Sequence, residues 1–404
     1  MADIASDRST SRPAITLALL SLAHAVIHAL SALMPLVYPI VITQFALDER
    51  DIGLFIAVTT AVGGSMQLVY GVLTRYVARP ALLAGGQLIF GASLVVAGLS
   101  QSVGQLLAAI SAARVGGSPQ HPVGNALLSD AFPPSRRGFA ISAHISGGNV
   151  GTIVVPFVGA ALLAAVGWQA TLAIFGIPAL VVGVLLTLLV REDSHAYRRA
   201  ARRSGSIRGQ FGAVLRRRDL RLILAAALVA AGGRGLDIVA PFMLLYLRGP
   251  LGLDQGTTAS LYALLLVGAV IGPLLAGWIS DRVGRRRTLV TYYLLSAAGI
   301  ISFVAVGANL WLLAPLLLPF GTAVFSESPV LQAYLADRAS GPQRDVAFSV
   351  YFAFAFGIGA FWAFVIGNVI ATWGYPTAFG IMAASYLAAA TLLVAVREDP
   401  ASAS

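Results

Sequence analysis

Gly277-Trp278-Ile279-Ser280-Asp281-Arg282-Val283-Gly284-Arg285-Arg286-Arg287 is a short, densely charged stretch set between two long apolar ones. Crossing the hydrocarbon of a bilayer takes about 20 apolar residues, and runs of that length precede Gly277 and follow Arg287. The stretch therefore reads as a tight loop joining two membrane helices. A weaker copy, Gly71-Val72-Leu73-Thr74-Arg75-Tyr76-Val77-Ala78-Arg79-Pro80, lies 206 residues earlier (277 − 71). That offset is close to half of the 404 residues. It predicts two parallel halves related by an axis along the membrane normal.

Composition agrees with a lipid solvent. Hydrophobic residues make up 58% of the chain and charged residues 11%, where a soluble domain is about one quarter charged. The polar side chains are too few to coat a soluble protein of this size. There is no cysteine, which excludes disulfides, thiol nucleophiles and thiolate metal sites. All 27 basic residues are arginine, a compositional bias rather than a chemical signal. The net charge of +10 would suggest nucleic acid in a soluble protein; its distribution points to topology instead. Met1 to Pro13 is polar, and the apolar run after it reaches Phe45, too long for a signal-peptide core, so it reads as a retained first helix.

Apolar runs predict twelve transmembrane helices, an all-α membrane fold: Ala14–Phe45, Asp51–Tyr76, Ala81–Ser100, Gln105–Leu128, Phe139–Ala165, Trp168–Val190, Leu220–Leu247, Thr257–Ser280, Thr288–Gly307, Leu310–Ala336, Val346–Trp373 and Pro376–Val396. If both termini are cytoplasmic, 23 arginines fall in cytoplasmic segments and only Arg50 and Arg248 outside. That is the asymmetry expected of a multi-pass protein of a bacterial inner membrane. The segment from Arg191 to Arg221 is the longest polar one. It makes residues 191–219 a cytoplasmic arginine-rich linker between six-helix bundles at 1–190 and 220–404.

Ionisable residues at membrane depth are costly and so are functional candidates. The spans hold eight: His24, His28, Arg114, His121, His144, Arg234, Asp237 and Glu327. At about 100° per residue, His24 and His28 share one face, Arg114 and His121 share another with Asn125 close behind, and Arg234 can pair with Asp237. Bland readings stand beside these. Arg234 with Asp237 could be an ion pair that only orients its helix, and Glu327 could be held by a neighbouring hydroxyl. The histidines read more readily as structural hydrogen-bonding residues, and His144 as packing. As coupling candidates, Asp237 or Glu327 could carry a proton, and Arg114 could bind an anionic group. His24 and His28 at four-residue spacing could hold a metal, but no third ligand accompanies them in sequence, and no metal is assigned. Gly147-Gly148-Asn149-Val150-Gly151 lacks the preceding strand of a dinucleotide loop. It reads instead as a small-residue face for close helix contact, with Pro156 as a bend.

The Gly277–Arg287 loop matches in full the G-x-x-x-D-R-x-G-R-R signature of the major facilitator superfamily, which this chain resembles over its whole length. That resemblance implies that Gly277, Asp281, Arg282, Gly284, Arg285 and Arg286 form a conformational latch between helices of opposite halves. The first copy departs from the signature at Arg75 and Ala78. The resemblance also implies that spans one, four, seven and ten line a central cavity; seven of the eight buried ionisable residues fall on them. Ser21-Leu-Ala-His24, Met34-Pro-Leu-Val-Tyr38-Pro39, Asp51-Ile-Gly53-Leu, Gln120-His121-Pro122 and the Ser146–Gly151 run resemble the fosmidomycin-resistance branch. That branch consists of proton-driven drug-efflux proteins. The family's antiporter motif falls on the same part of span five, where Val155 stands in place of the usual glycine before Pro156.

With no Walker loop and no catalytic constellation, the expectation is a secondary transporter, not an enzyme, without a cofactor. It would work by alternating access as a proton-coupled exporter of a drug-like or anionic compound. An importer of an organic acid or sugar is the alternative in the same class, and a non-transporting sensor or scaffold the alternative outside it. The expected partners are a small-molecule substrate, protons and the lipid bilayer, with no nucleic acid and a monomeric chain.

Overall fold

A backbone in hydrocarbon must satisfy its own hydrogen bonds, which leaves helices as the economical solution for these sequences. The computed structural model describes residues 13–132, 134–192, 212, 214–338, 347–348 and 350–396, and every regular element among them is helical. Most of the predicted linker, and Arg8, Arg12, Arg344 and Arg397, lie outside the described residues.

The first half contains α1 (Pro13–Phe45), α2 (Glu49–Leu73), α3 (Arg79–Ala97), α4 (Val103–Gly117), α5 (Asn125–Ala131), α6 (Pro134–Val154) and α7 (Ala160–Leu189). The second contains α8 (Arg218–Ala230), α9 (Ala240–Arg248), α10 (Gln255–Val283), α11 (Arg285–Val306), α12 (Leu310–Val324), α13 (Glu327–Arg338) and α14 (Phe361–Val394). Nine helical stretches among the described residues are long and apolar enough to cross a membrane, where the sequence predicts twelve spans. The difference has physical causes. Two of the nine run for 47 and 45 residues; at 1.5 Å per residue each is more than twice the thickness of the hydrocarbon. Both fold back at a left-handed glycine, Gly167 (φ 78°) and Gly374 (φ 81°), a conformation glycine adopts without steric cost. The two glycines are 207 residues apart (374 − 167), which restates the repeat offset. Val103–Ala131 is interrupted at Pro122 by a π turn, Gln120–Gly124, because proline cannot complete the helical ladder.

Within the first half α1 packs on α6 and α7, and α3 on α4 and α7; within the second, α10 packs on α12, and α11 and α8 on α14. The halves meet through α2 against α14, α1 against α9, and α10 against α6. Small residues allow these approaches. A Cβ at Gly151 of α6 would lie 1.9 Å from the Ala25 carbonyl oxygen of α1, and a Cβ at Gly53 of α2 would lie 2.5 Å from the Ala363 oxygen of α14.

The two ends of the bundle differ. At the end opposite the Gly277–Arg287 loop the halves are joined: the Tyr375 hydroxyl donates to Glu49 Oε1 at 3.0 Å. At the loop end several ion pairs stay within one half. Arg79 pairs with Asp130 (2.8 Å) and with Glu192, while Arg285 pairs with Asp281 (2.5 Å) and Asp337 (3.1 Å).

Candidate substrate and coupling site

A narrow cavity opens at the contact of the two halves. Its walls include Ser31 and Tyr38 of α1, Thr60 of α2, Arg114 of α4, Asp237 and Pro241. It has room for about one water molecule. Arg114 and Asp237 are its two charged lining residues, one from each half. Arg114 Nη1 donates to Ser31 Oγ at 3.0 Å, and its Nε is buried with no hydrogen-bond partner among the described residues. The Ser118 hydroxyl bonds the Arg114 carbonyl (2.6 Å) and the Gly63 carbonyl of α2 (2.9 Å), which fixes α4 beside α2. Asn125 begins α5, with Oδ1 buried and without a hydrogen-bond partner among the described residues.

The seventh span is broken where its charges lie. Ala231–Gly233 is a single 3₁₀ turn, Arg234 is extended (φ −60°, ψ 130°), and Gly235–Val239 is a π turn. An unbroken helix would set Arg234 and Asp237 one turn apart, as the sequence suggests. Across the break Arg234 Nη1 still lies 4.0 Å from Asp237 Oδ2, a long ion pair. Arg234 turns into its own half: Nη1 donates to the Ala355 carbonyl at 2.5 Å, and the guanidinium lies 4.2 Å from the centre of the Phe356 ring. That carbonyl is available because Ala353–Ile358 is itself a π turn, in which the Gly359 amide bonds Phe354 O at 2.8 Å. Two local helix defects therefore make one side-chain contact.

Glu327 opens α13 directly after the break at Phe325 and Ser326, and is 3% exposed. Arg234 and Asp237 act on its charge, and the Tyr386 hydroxyl faces it. Tyr293 and Tyr351 stand within electrostatic reach as well. Tyr386 donates to the Gly233 carbonyl at 2.6 Å, and its ring lies 5.4 Å from that of Tyr293. Sequence reasoning missed these three tyrosines. The signal was a phenol inside an apolar span, since a buried hydroxyl seeks a partner.

Four histidines meet inside the first half. The His24 ring lies 4.4 Å from His28, 4.8 Å from His121 and 4.5 Å from His144, centre to centre. Gly148 admits this contact, because a Cβ there would come within 3.0 Å of the His24 ring. His121 stacks on Phe352 of the second half at 5.8 Å.

Gly147 faces Ser21 and Gly151 faces Ala25, both of α1. Asn149 is half-buried on α6, and Pro156 sits in the π turn Val155–Gly159. Gly284 holds φ 95° between α10 and α11, while a Cβ at Gly277 would meet open space. Arg282 lies over the Trp278 ring at 3.8 Å, and Arg286 donates to the Val396 carbonyl at 2.9 Å. These contacts of the latch residues lie within the second half.

The sequence profile of the Major Facilitator Superfamily matches residues 20–237 and again residues 223–404. The chain is similar to the fosmidomycin resistance protein of Escherichia coli K12, 25% identical over 355 residues, covering 87% of this chain and 85% of that protein. It is also similar to the 4-hydroxybenzoate transporter PcaK of Pseudomonas putida, 24% identical over 389 residues, covering 87% of this chain and 83% of the relative. Among solved structures, a mutant of the nucleoside transporter NupG superposes with a TM-score of 0.78 at 13% identity, covering 95% of this chain and all of that one.

Proposed function

The chain belongs to the major facilitator superfamily and is a membrane transporter of small solutes, and on that premise we propose that it exports a small organic anion in exchange for protons. The observation that carries this reading is the cavity between the halves, lined by Arg114 from one and Asp237 from the other. A guanidinium with a buried, unpartnered Nε is suited to bind a carboxylate or phosphonate, which it can meet with a pair of parallel hydrogen bonds. Two relatives, one a resistance protein and one a 4-hydroxybenzoate transporter, support a drug-like or anionic cargo.

Coupling follows from charge balance. Arg234 has Glu327 and Asp237 as its acidic neighbours. Protonating Glu327 removes one counter-charge from a buried guanidinium, a change worth several kcal/mol at such a site. The two conformations respond differently to that change, and a ligand or proton shifts a conformational equilibrium only through such a difference. The halves then rock around the Arg114–Asp237 cavity, one end opening as the other closes. The arginine distribution supports an inner-membrane orientation with both termini and the Gly277–Arg287 loop in the cytoplasm. On that orientation, the Glu49–Tyr375 end faces outward.

Proteoliposomes loaded with a pH-sensitive dye test the reading against a panel of fosmidomycin, 4-hydroxybenzoate and a neutral sugar. A substrate gradient directed across the membrane should drive protons the opposite way for an anion and not for the sugar. Protons moving with the substrate would replace exchange by import. No substrate-dependent proton movement across a panel widened to other organic anions would remove proton coupling altogether.

A further inference from the structure

We propose that His24, His28 and His121 form a binding site for one divalent first-row transition-metal ion. The three rings come from two different spans, and their ligand nitrogens all lie within 4.8 Å of one another. A tetrahedral zinc site holds imidazole nitrogens about 2.0–2.1 Å from the metal, hence roughly 3.3 Å from each other. Binding therefore draws the three nitrogens closer together than they stand without an ion.

The tautomer of the central ring is already set for a ligand. His24 Nδ1 lies 3.1 Å from the backbone carbonyl of His144. A carbonyl only accepts, so Nδ1 carries the hydrogen and Nε2 carries the lone pair. Metal-ligating histidines show this arrangement, with one nitrogen on the metal and the other donating to a carbonyl or carboxylate. His24 is 1% exposed, and its Nε2 has no hydrogen-bond partner among the described residues. A buried lone pair without a donor is costly, and a cation satisfies it. Each imidazole binds metal through its neutral form.

Access and coordination number also fit. His28 and His121 are half-buried rather than sealed, which leaves a path to the site and a fourth position for water or hydroxide. With imidazole ligands and no thiolate, the set suits Zn²⁺, Cu²⁺, Ni²⁺ or Co²⁺ rather than Mg²⁺ or Ca²⁺. The stack of His121 on Phe352 places the site against the second half.

The experiment uses full-length protein in detergent, with any affinity tag removed and metals stripped by a chelator. Zn²⁺ titration by calorimetry should give about one ion per chain, and Mg²⁺ should give no heat of binding. The frozen-solution electron paramagnetic resonance spectrum of the Cu²⁺-loaded protein should show hyperfine splitting from about three nitrogens. His28→Ala and His121→Ala should each weaken Zn²⁺ by more than 30-fold, while His195→Ala, at the one histidine outside the cluster of four, should leave it unchanged. Fewer than 0.1 Zn²⁺ per chain, a Cu²⁺ spectrum without nitrogen splitting, or equal affinity in the wild type and both cluster variants would overturn the proposal. Should a cluster variant not fold, the nitrogen count on the wild type decides alone. None of these readouts involves transport, so the result stands apart from the proposed function.

Discussion

Among the described residues, Arg114 donates to the Ser31 hydroxyl and keeps a buried Nε without a partner. Hydrogen bonds to a charged group contribute about 1.5–3 kcal/mol. Arg114→Ala should therefore raise the KM for an anionic substrate between about 10- and 150-fold in counterflow assays. Arg114→Lys should recover only part, because an ammonium cannot offer two parallel donors. Glu327→Gln keeps the size of the side chain and removes its proton chemistry. We expect counterflow of labelled for unlabelled substrate to continue in that variant while proton-driven accumulation is lost; unchanged accumulation would remove Glu327 from the coupling path. The ionisable candidates themselves were legible in the sequence, since charge within an apolar run is conspicuous. Their partners were not. The Ala355 carbonyl that receives Arg234 comes from another span, about 120 residues away. No local spacing rule connects them.

Helical periodicity placed His24 and His28 on one face of α1, and their rings do lie 4.4 Å apart. Across spans four and seven π and 3₁₀ turns replace the regular helix at Gln120–Gly124 and at Ala231–Val239, yet Arg234 and Asp237 still come within 4.0 Å of each other. Pro122 signals the first defect. The second begins with three small residues, Ala231, Gly232 and Gly233, the two glycines packing against Trp362 and Tyr386. Tight contact also governs α1 against α6. A Cβ at Gly151 would overlap the Ala25 carbonyl at 1.9 Å, and relief requires the two helices to separate. Gly151→Val should cost about 3 kcal/mol, read as a clear fall in the melting temperature of the purified protein by scanning fluorimetry. Gly277→Ala, where a Cβ meets open space, should melt within a degree or two of the wild type.

The molecule as a whole is closed at the Glu49–Tyr375 end. Gly53 and Gly367 touch across the halves there, a Cβ on Gly367 coming 2.4 Å from the Glu49 carbonyl and 3.0 Å from the Gly53 Cα. Enlarging Gly53 to valine should disfavour this closed state more than it disfavours folding, because the contact lies between bundles and not within one. The chain has no cysteine, so spin labels can be attached at Asp48→Cys and Thr377→Cys without other changes. We expect Gly53→Val to lengthen the measured distance between those labels, and an unaltered distribution would show that the glycine contact does not hold this end shut. The sequence by itself determined the membrane class, the duplication into halves and the family, since each rests on local composition or on a motif read in order. Hydrophobic run length marks a span wherever it occurs, and an offset of 206 residues needs no structure to detect. Only the tertiary structure decided that Gly167 and Gly374 fold two long helices back on themselves. It alone brought a third histidine to His24 and His28, and surrounded Glu327 with Arg234 and phenols from other spans. The physical reason is that packing small residues against one another sets helix positions in lipid, and a pair of residues distant in the chain meets only where those contacts allow.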